Sequence, residues 1–231
     1  MSMAEPSRNS TGTPAILLVM TSVTGVVDAV SYLALGHVFT ANMTGNIVFL
    51  GFALGGAPGV SISGSLLALA CFAIGAIVGG RMTAMLSPQD TRQKAIRGFV
   101  METVFLLAAA TVSIGFTAAY SNSRLRLQSV VAMTAIAMGL RNAVVRKLGV
   151  PDLTTTVLTL TITAFAADSV VAGGDNPRWQ RRCAAIMAML GGAAAGAFML
   201  NHSIALPLYV CAVITVVCGF AWSHIESKRG Q

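Results

Sequence analysis

The chain has 231 residues, of which 55% are hydrophobic and only 10% are charged, and its mean hydropathy is +0.75. Soluble proteins carry about 25% charged residues, so this composition excludes a soluble globular domain, a disordered chain, a nucleic-acid-binding domain and a secreted disulfide scaffold. The net charge of +7 fits Lys and Arg placed in short loops between membrane spans. The composition therefore predicts an all-α polytopic membrane protein that is embedded in the lipid bilayer.

Eight apolar segments follow a polar N-terminal tail, residues 1–13, and precede a polar C-terminal tail, residues 225–231. A helix needs about 20 apolar residues to cross a bilayer. Two segments differ from the rest, because the second opens with a polar string from Thr40 to Asn46 and the sixth carries six threonines. In chain order the segments are 14–35, 39–56, 61–83, 98–119, 127–145, 153–172, 182–201 and 204–223.

Short motifs of the first half recur in the same order in the second half. This pattern predicts two membrane repeats, residues 14–120 and 121–224, within one membrane domain. Chance recurrence of Gly and Ala in an apolar chain is the alternative explanation. The matches are Asp28-Ala29-Val30 with Asn142-Ala143-Val144, Leu35-Gly36 with Leu148-Gly149, Phe39-Thr40 with Leu153-Thr154, Gly75-Ala76-x-x-Gly79 with Gly192-Ala193-x-x-Gly196, and Thr111-Val112 with Thr215-Val216.

The distribution of basic residues favours one topology over another. If all eight segments cross, the alternate loops hold 8 and 7 basic residues, which gives no orientation. If the second and sixth segments are short or re-entrant, thirteen basic residues fall on one side and only Arg124 and Arg126 on the other. Since cytoplasmic loops are enriched in Lys and Arg, we predict six full spans, inverted halves and cytoplasmic termini, with eight spans as the alternative.

Asp28 is the acidic residue set most deeply in an apolar segment. A carboxylate facing lipid at the membrane centre costs about 2.5–3.5 kcal/mol on insertion scales, so Asp28 should face protein or water. It is either a proton-accepting or cation-facing group or a structural clamp between helices. Arg141 is the one deeply placed basic residue and adjoins Asn142, the repeat counterpart of Asp28, so we predict an Asp28–Arg141 pair. Glu102 is expected near a membrane boundary, solvated or in an interfacial ion pair.

The polar string from Phe39 to Asn46 precedes a short apolar helix, for which Asn42 and Thr44 are candidate N-caps. A helix N-terminus offers free N–H groups and the positive end of the helix dipole to a polar solute. A capped interfacial loop is the alternative, and residues 151–156 stand at the equivalent place in the second half. The candidate substrate-binding residues are Asp28, Tyr32, Thr40, Asn42, Thr44, Asn46, Arg141 and Asn142.

The sequence holds no pattern typical of an enzyme or a metalloprotein. It has no GxSxG, phosphate-loop or HExxH motif, and its three histidines and four cysteines lack metal-ligand spacing. We therefore expect no enzymatic activity, no cofactor and no metal. Small-xxx-small faces at Gly51, Gly75 and Gly192 predict close helix packing within the chain, with a homo-oligomer as the other possibility.

Two stretches of the first half resemble the YoaK-like family of bacterial membrane proteins. They are Gly25-Val-Val-Asp28-Ala-Val-Ser-Tyr32-Leu and Leu35-Gly36-His37-Val-Phe39-Thr-Ala-Asn42-Met-Thr44-Gly45-Asn46. The likeness is strong over residues 25–55 and implies a multi-spanning inner-membrane protein of unknown function. The resemblance singles out Asp28, Tyr32, Asn42, Thr44, Gly45 and Asn46 as signature positions.

These observations together favour a small-solute transporter or channel with a polar midplane site near Asp28 and residues 40–46. The solute is unknown. The competing hypothesis is a non-transporting membrane scaffold or partner-binding subunit.

Overall fold

The computed structural model describes residues 12–87, 90–115, 124–148, 158–176 and 178–229. Every regular element in these ranges is helical, which confirms the all-α class. The polar run 151–156 and the boundary predicted between residues 120 and 121 lie outside the described ranges. The helices are α1 (Gly12–Ala34), α2 (Met43–Leu54), α3 (Ile62–Ala84), α4 (Thr91–Val112), α5 (Arg124–Leu148), α6 (Thr159–Ala167), α7 (Trp179–Leu200) and α8 (Ala205–Arg229), with a 3₁₀ turn at Val170–Ala172.

Within the described residues, six helices are long and apolar enough to cross a membrane: α1, α3, α4, α5, α7 and α8. Helix α2 has 12 residues and α6 has 9. At 1.5 Å per residue they reach about 18 Å and about 14 Å, against a hydrocarbon core of about 30 Å. The prediction of six spans plus two short helices is confirmed. The described residues do not support the eight-span alternative, because α2 and α6 as described are both too short to cross.

The long helices alternate in direction. At one end of the bundle, Leu35 after α1, Ser61 before α3 and Arg124 at the start of α5 line the same small cavity. At the other end, Thr91 at the start of α4 donates a hydrogen bond to Glu226 near the end of α8, over 3.1 Å. We call this second end the basic end, because it carries Arg81, Arg92, Lys94, Arg97, Arg146, Lys147, Arg178, Arg181 and Arg182.

Glycines bring two pairs of parallel helices into backbone contact. Where α3 crosses α5, a Cβ on Gly75 would strike the carbonyl oxygen of Ile136, and a Cβ on Gly139 would strike that of Phe72. Helices α1 and α7 cross in the same manner, with Gly192 against the carbonyl oxygen of Ser22 and Gly25 against that of Met189. The predicted small-xxx-small faces at Gly75 and Gly192 therefore serve packing inside the chain.

Helix α6 is tied to α7 at the basic end. Arg182 of α7 is buried and pairs with Asp168, just after α6, over 2.8 Å. The same guanidinium donates a hydrogen bond to the carbonyl oxygen of Ala164, over 2.7 Å. The end of α5, the attachment of α6 to α7 and the start of α7 therefore all lie at the basic end.

Candidate functional site

The segment between α1 and α3 folds back into the bundle. It starts and finishes at the end opposite the basic end, and the left-handed residues Gly36 (φ 92) and His37 (φ 57) turn the chain inward. Helix α2 begins at Met43, in a cleft that also contains Ala76 and Gly80 from the second half of α3. Residues 37–42, which we call the re-entrant loop, are therefore non-helical backbone inside the bundle.

Two side chains hold the re-entrant loop in place. Asp28 of α1 is only 6% exposed, and its Oδ1 accepts hydrogen bonds from the backbone N–H groups of Thr40 (3.2 Å) and Ala41 (2.9 Å). Asn46 in the first turns of α2 accepts the N–H of Phe39 over 2.9 Å and donates to its carbonyl oxygen over 2.6 Å. These bonds satisfy backbone groups that would otherwise be orphaned at membrane depth. In this geometry Asp28 clamps the loop to α1.

Aromatic rings cover the outer side of the loop. The Tyr32 ring stacks on that of Phe39 with 5.0 Å between centroids, and Phe39 stacks on Phe49 at 5.7 Å. His37 meets the edge of Tyr32 at 5.2 Å. Gly45 is required beneath this stack, because a Cβ there would run into the Phe39 ring. Tyr32 therefore belongs to a packed aromatic cluster beside the loop.

Asn42 and Thr44 do not cap α2 as the sequence predicted. Asn42 occupies the N-cap position, but its side chain makes no capping hydrogen bond, and Thr44 already lies inside the first turn. The side chains of both residues are exposed, and both line two separate clefts. The N-terminus of α2 is therefore open toward the clefts.

The two clefts differ in charge. The first, which we call the basic cleft, has a volume of about 630 Å³ and is lined by Ala41, Asn42, Met43, Thr44, Phe72, Ala76, Gly80, Asn142, Ala143, Val145, Arg146 and Lys147. The second, the neutral cleft, has a volume of about 500 Å³ and is lined by Phe39, Asn42, Thr44, Gly45, Val48, Phe49, Leu158, Thr159, Ile162 and Met189. The N-terminal ends of both short helices thus meet at the neutral cleft.

A buried charge network lies between four long helices, apart from the clefts. Arg141 of α5 is 2% exposed and pairs with Glu102 of α4, which is 1% exposed. The guanidinium also donates to the carbonyl oxygen of Met20 (2.9 Å) and to Oγ1 of Thr24 (2.7 Å) on α1. Thr215 of α8 donates to the same Glu102 oxygen over 3.4 Å.

The predicted Asp28–Arg141 pair is therefore wrong, because Arg141 is neutralised by Glu102. The expected solvation of Glu102 is also wrong, because its side chain is buried between the helices and paired with Arg141. Asp90 accepts the N–H of Gln93 over 3.0 Å and starts α4 at Thr91. The helix thus begins seven residues before the predicted segment, and Glu102 falls at its middle. The sequence carried a signal for this start, an N-cap Asp followed three residues later by Gln.

The structure brings together most of the predicted site residues. Asp28 and Asn46 hold the re-entrant loop, which contains Thr40. The Oγ1 of the fully buried Thr40 has no hydrogen-bond partner among the described residues. Asn142 lines the basic cleft with Asn42 and Thr44, and its amide donates to the carbonyl oxygen of Met138 over 3.1 Å. Arg141 stands apart in the charge network. No group of three or more His, Cys, Asp or Glu side chains in the described ranges could hold a metal ion.

Replacing Asp28 tests the clamp. We expect Asp28→Leu to destabilise the protein by about 1–3 kcal/mol for each loop N–H that loses its acceptor. Asp28→Asn keeps an oxygen at the same place and should cost less. Thermal unfolding of the purified protein in detergent, followed by circular dichroism, measures both, with Asn42→Leu in the exposed part of the loop as the control. Equal unfolding temperatures for Asp28→Leu and Asn42→Leu would contradict the clamp.

Six apolar helices of spanning length enclose buried charges and define a multi-pass helical membrane protein. The chain belongs to the family described as "Protein of unknown function (DUF1275)", whose model matches residues 16–221. It is similar to the UPF0700 transmembrane protein YoaK of Bacillus subtilis (strain 168), with 33% identity over 144 residues, which is 62% of this chain and 61% of the relative. The match thus spans less than two thirds of that relative's length. No solved structure matches. The predicted resemblance to the YoaK-like family is confirmed.

Proposed function

We propose that this protein moves a small solute across the membrane, as a transporter or channel. The observation that carries the proposal is the meeting of two clefts, of about 630 Å³ and about 500 Å³, at Asn42 and Thr44. The basic cleft extends from these residues to Arg146 and Lys147 at the end of α5. Two recesses that share one polar junction would give a solute a route through the bundle.

The construction of the re-entrant loop supports this proposal. Non-helical backbone at membrane depth is tolerated where protein buries it or water reaches it, and broken helices of this kind form the binding sites of many transporters. Here Asp28 and Asn46 satisfy the inner face of the loop. Asn42 and Thr44 on its other face keep exposed polar groups that can bind a solute.

The helix crossings support an inverted repeat. Gly139 follows Gly25 by 114 positions, and Gly192 follows Gly75 by 117. Gly25 of α1 thus corresponds to Gly139 of α5, and Gly75 of α3 to Gly192 of α7. The α1–α7 crossing is therefore the counterpart of the α5–α3 crossing when the two halves are exchanged. Three spans per half give the halves opposite orientations, which is a recurrent design of transporters.

The proposed setting is the inner membrane of the cell, with the basic end in the cytoplasm. Among the described residues, only Arg124 and Arg126 carry positive charge at the opposite end. Cytoplasmic loops are enriched in Lys and Arg, so this asymmetry favours a cytoplasmic location for both termini. The proposed activity is translocation without chemical change of the solute.

Reconstituted protein tests the proposal. Proteoliposomes are screened for uptake and efflux of a broad panel of small ions and metabolites, with empty liposomes as the blank. For a solute that the wild type moves, we expect Thr44→Leu to reduce the rate at least tenfold, because it blocks the junction of the clefts. Thr111→Leu, at an exposed threonine of α4 outside both clefts, should leave the rate unchanged.

Two results would contradict the proposal. If no solute of a broad panel crosses faster than in empty liposomes, the non-transporting scaffold becomes the better hypothesis. If a solute crosses and the Thr44→Leu and Thr111→Leu variants behave alike, the route does not pass the junction at Asn42 and Thr44.

A further inference from the structure

We infer that the basic cleft binds a small organic anion of low charge, a class that includes carboxylates. This inference rests on the proposed function and names the class of its solute. Arg146 and Lys147 line the cleft, whereas none of its lining residues is acidic. Two positive charges without a carboxylate beside them attract anions and repel cations.

Arg146 and Lys147 stand in the last turn of α5, and both side chains are exposed. Neither makes an ion pair with a described residue. The buried carboxylate of Asp28 does not line the cleft and accepts hydrogen bonds from the loop N–H groups. The two cations are therefore available to a ligand in the cleft.

The inner part of the cleft offers a hydroxyl and the N-terminus of a helix to the same ligand. Met43 and Thr44, in the first turn of α2, line the cleft together with Arg146. No side chain of Asn42 caps α2, so the positive end of its dipole adds to the field of the two cations. An anion that enters past Arg146 thus meets further positive potential at depth.

The neutral cleft limits the charge of the solute. Its lining residues include no ionisable side chain, and Phe39, Phe49 and Met189 are among them. A multiply charged anion leaving the basic cleft would lose hydration without compensation there. An anion with one charge and an apolar body suits both clefts.

Anion binding is measured by isothermal titration of the purified full chain in an uncharged detergent, at constant ionic strength. The probes are acetate, benzoate and inorganic phosphate, with tetramethylammonium as the cationic comparison. We expect benzoate or acetate to bind, and the double substitution Arg146→Gln/Lys147→Gln to weaken that binding at least tenfold. The control is Arg124→Gln/Arg126→Gln, which removes two charges from the first turn of the same helix and should leave the affinity unchanged.

Anionic headgroups could supply the same chemistry, so a second arm uses lipids. Titration of the detergent-solubilised protein compares mixed micelles that contain phosphatidylcholine alone with micelles that contain phosphatidylglycerol. Binding of phosphatidylglycerol without binding of any free anion overturns the inference, as does equal affinity for tetramethylammonium or an unaffected double variant. Transport of a cation or a neutral solute, sensitive to Thr44→Leu, would overturn the anion class alone. Anion binding without any transport would overturn the proposed function alone.

Discussion

Replacing Arg141 with methionine is expected to destabilise the protein by about 3–5 kcal/mol, because the substitution leaves Glu102 as an uncompensated buried charge. The two side chains are 2% and 1% exposed, and no solvent can take over the role of the lost partner. Thermal unfolding of the purified variant in detergent, followed by circular dichroism, measures the effect. Arg146→Met, which removes an exposed charge one turn and a half further along α5, is the matched control.

The double variant separates the charge from the packing. Arg141→Met/Glu102→Leu removes both ions, and replacing a buried pair by apolar residues is often neutral or stabilising. We therefore expect the double variant to unfold at a higher temperature than Arg141→Met. If the two losses simply add, Glu102 and Arg141 do not interact as the geometry requires.

A side chain at Gly192 is expected to be among the most damaging single additions on a helix surface. Its Cβ would collide with the carbonyl oxygen of Ser22, and a backbone cannot rotate away as a side chain can. Overpacking in ordinary cores costs about 1–3 kcal/mol, so Gly192→Ile should cost at least that much. Unfolding in detergent and the yield of folded protein in the membrane measure it.

Gly191→Ile is the control, because a Cβ at Gly191 meets nothing within 4 Å. The pair Gly79→Ile and Gly80→Ile repeats the comparison on α3. Of these two glycines, Gly79 faces a neighbouring backbone and Gly80 does not. Equal loss of stability in both members of a pair would show that helix propensity, and not the crossing, decides the outcome.

Composition and segment length were sufficient to predict the class of fold. The lengths of the apolar runs indicate which helices can span. Basic residues such as Arg81, Arg146 and Arg178 indicate which ends of those helices lie on the same side. The burial of Glu102 was missed because Arg92, Lys94 and Arg97 lower the hydropathy at the start of α4, so that the predicted segment began only at residue 98. The helix nevertheless starts at Asp90, whose carboxylate caps it. The N-cap at Asp90 therefore predicts the start of α4, and with it the place of Glu102 along the helix, better than hydropathy does.

Pairings across the bundle could not be predicted from the repeat. Counterparts in sequence suggested that Asp28 and Arg141 would meet, yet each binds a different group. Asp28 bonds to the backbone of the re-entrant loop, and Arg141 to Glu102 on α4. Such choices depend on the rotation of each helix about its axis, which a single sequence leaves open. The shapes of the two clefts depend on the same helix rotations, so they could not be predicted from the sequence either.

The glycine crossings also determine which parts of the molecule can move as rigid bodies. Each close contact joins a helix of one sequence half to a helix of the other, α1 with α7 and α3 with α5. The two halves therefore cannot rock against each other without breaking both crossings. Any change of shape that opens one cleft and shuts the other has to treat α1–α7 and α3–α5 as its moving units, with the hydrogen bonds from Arg141 of α5 to Met20 and Thr24 of α1 at the joint between them.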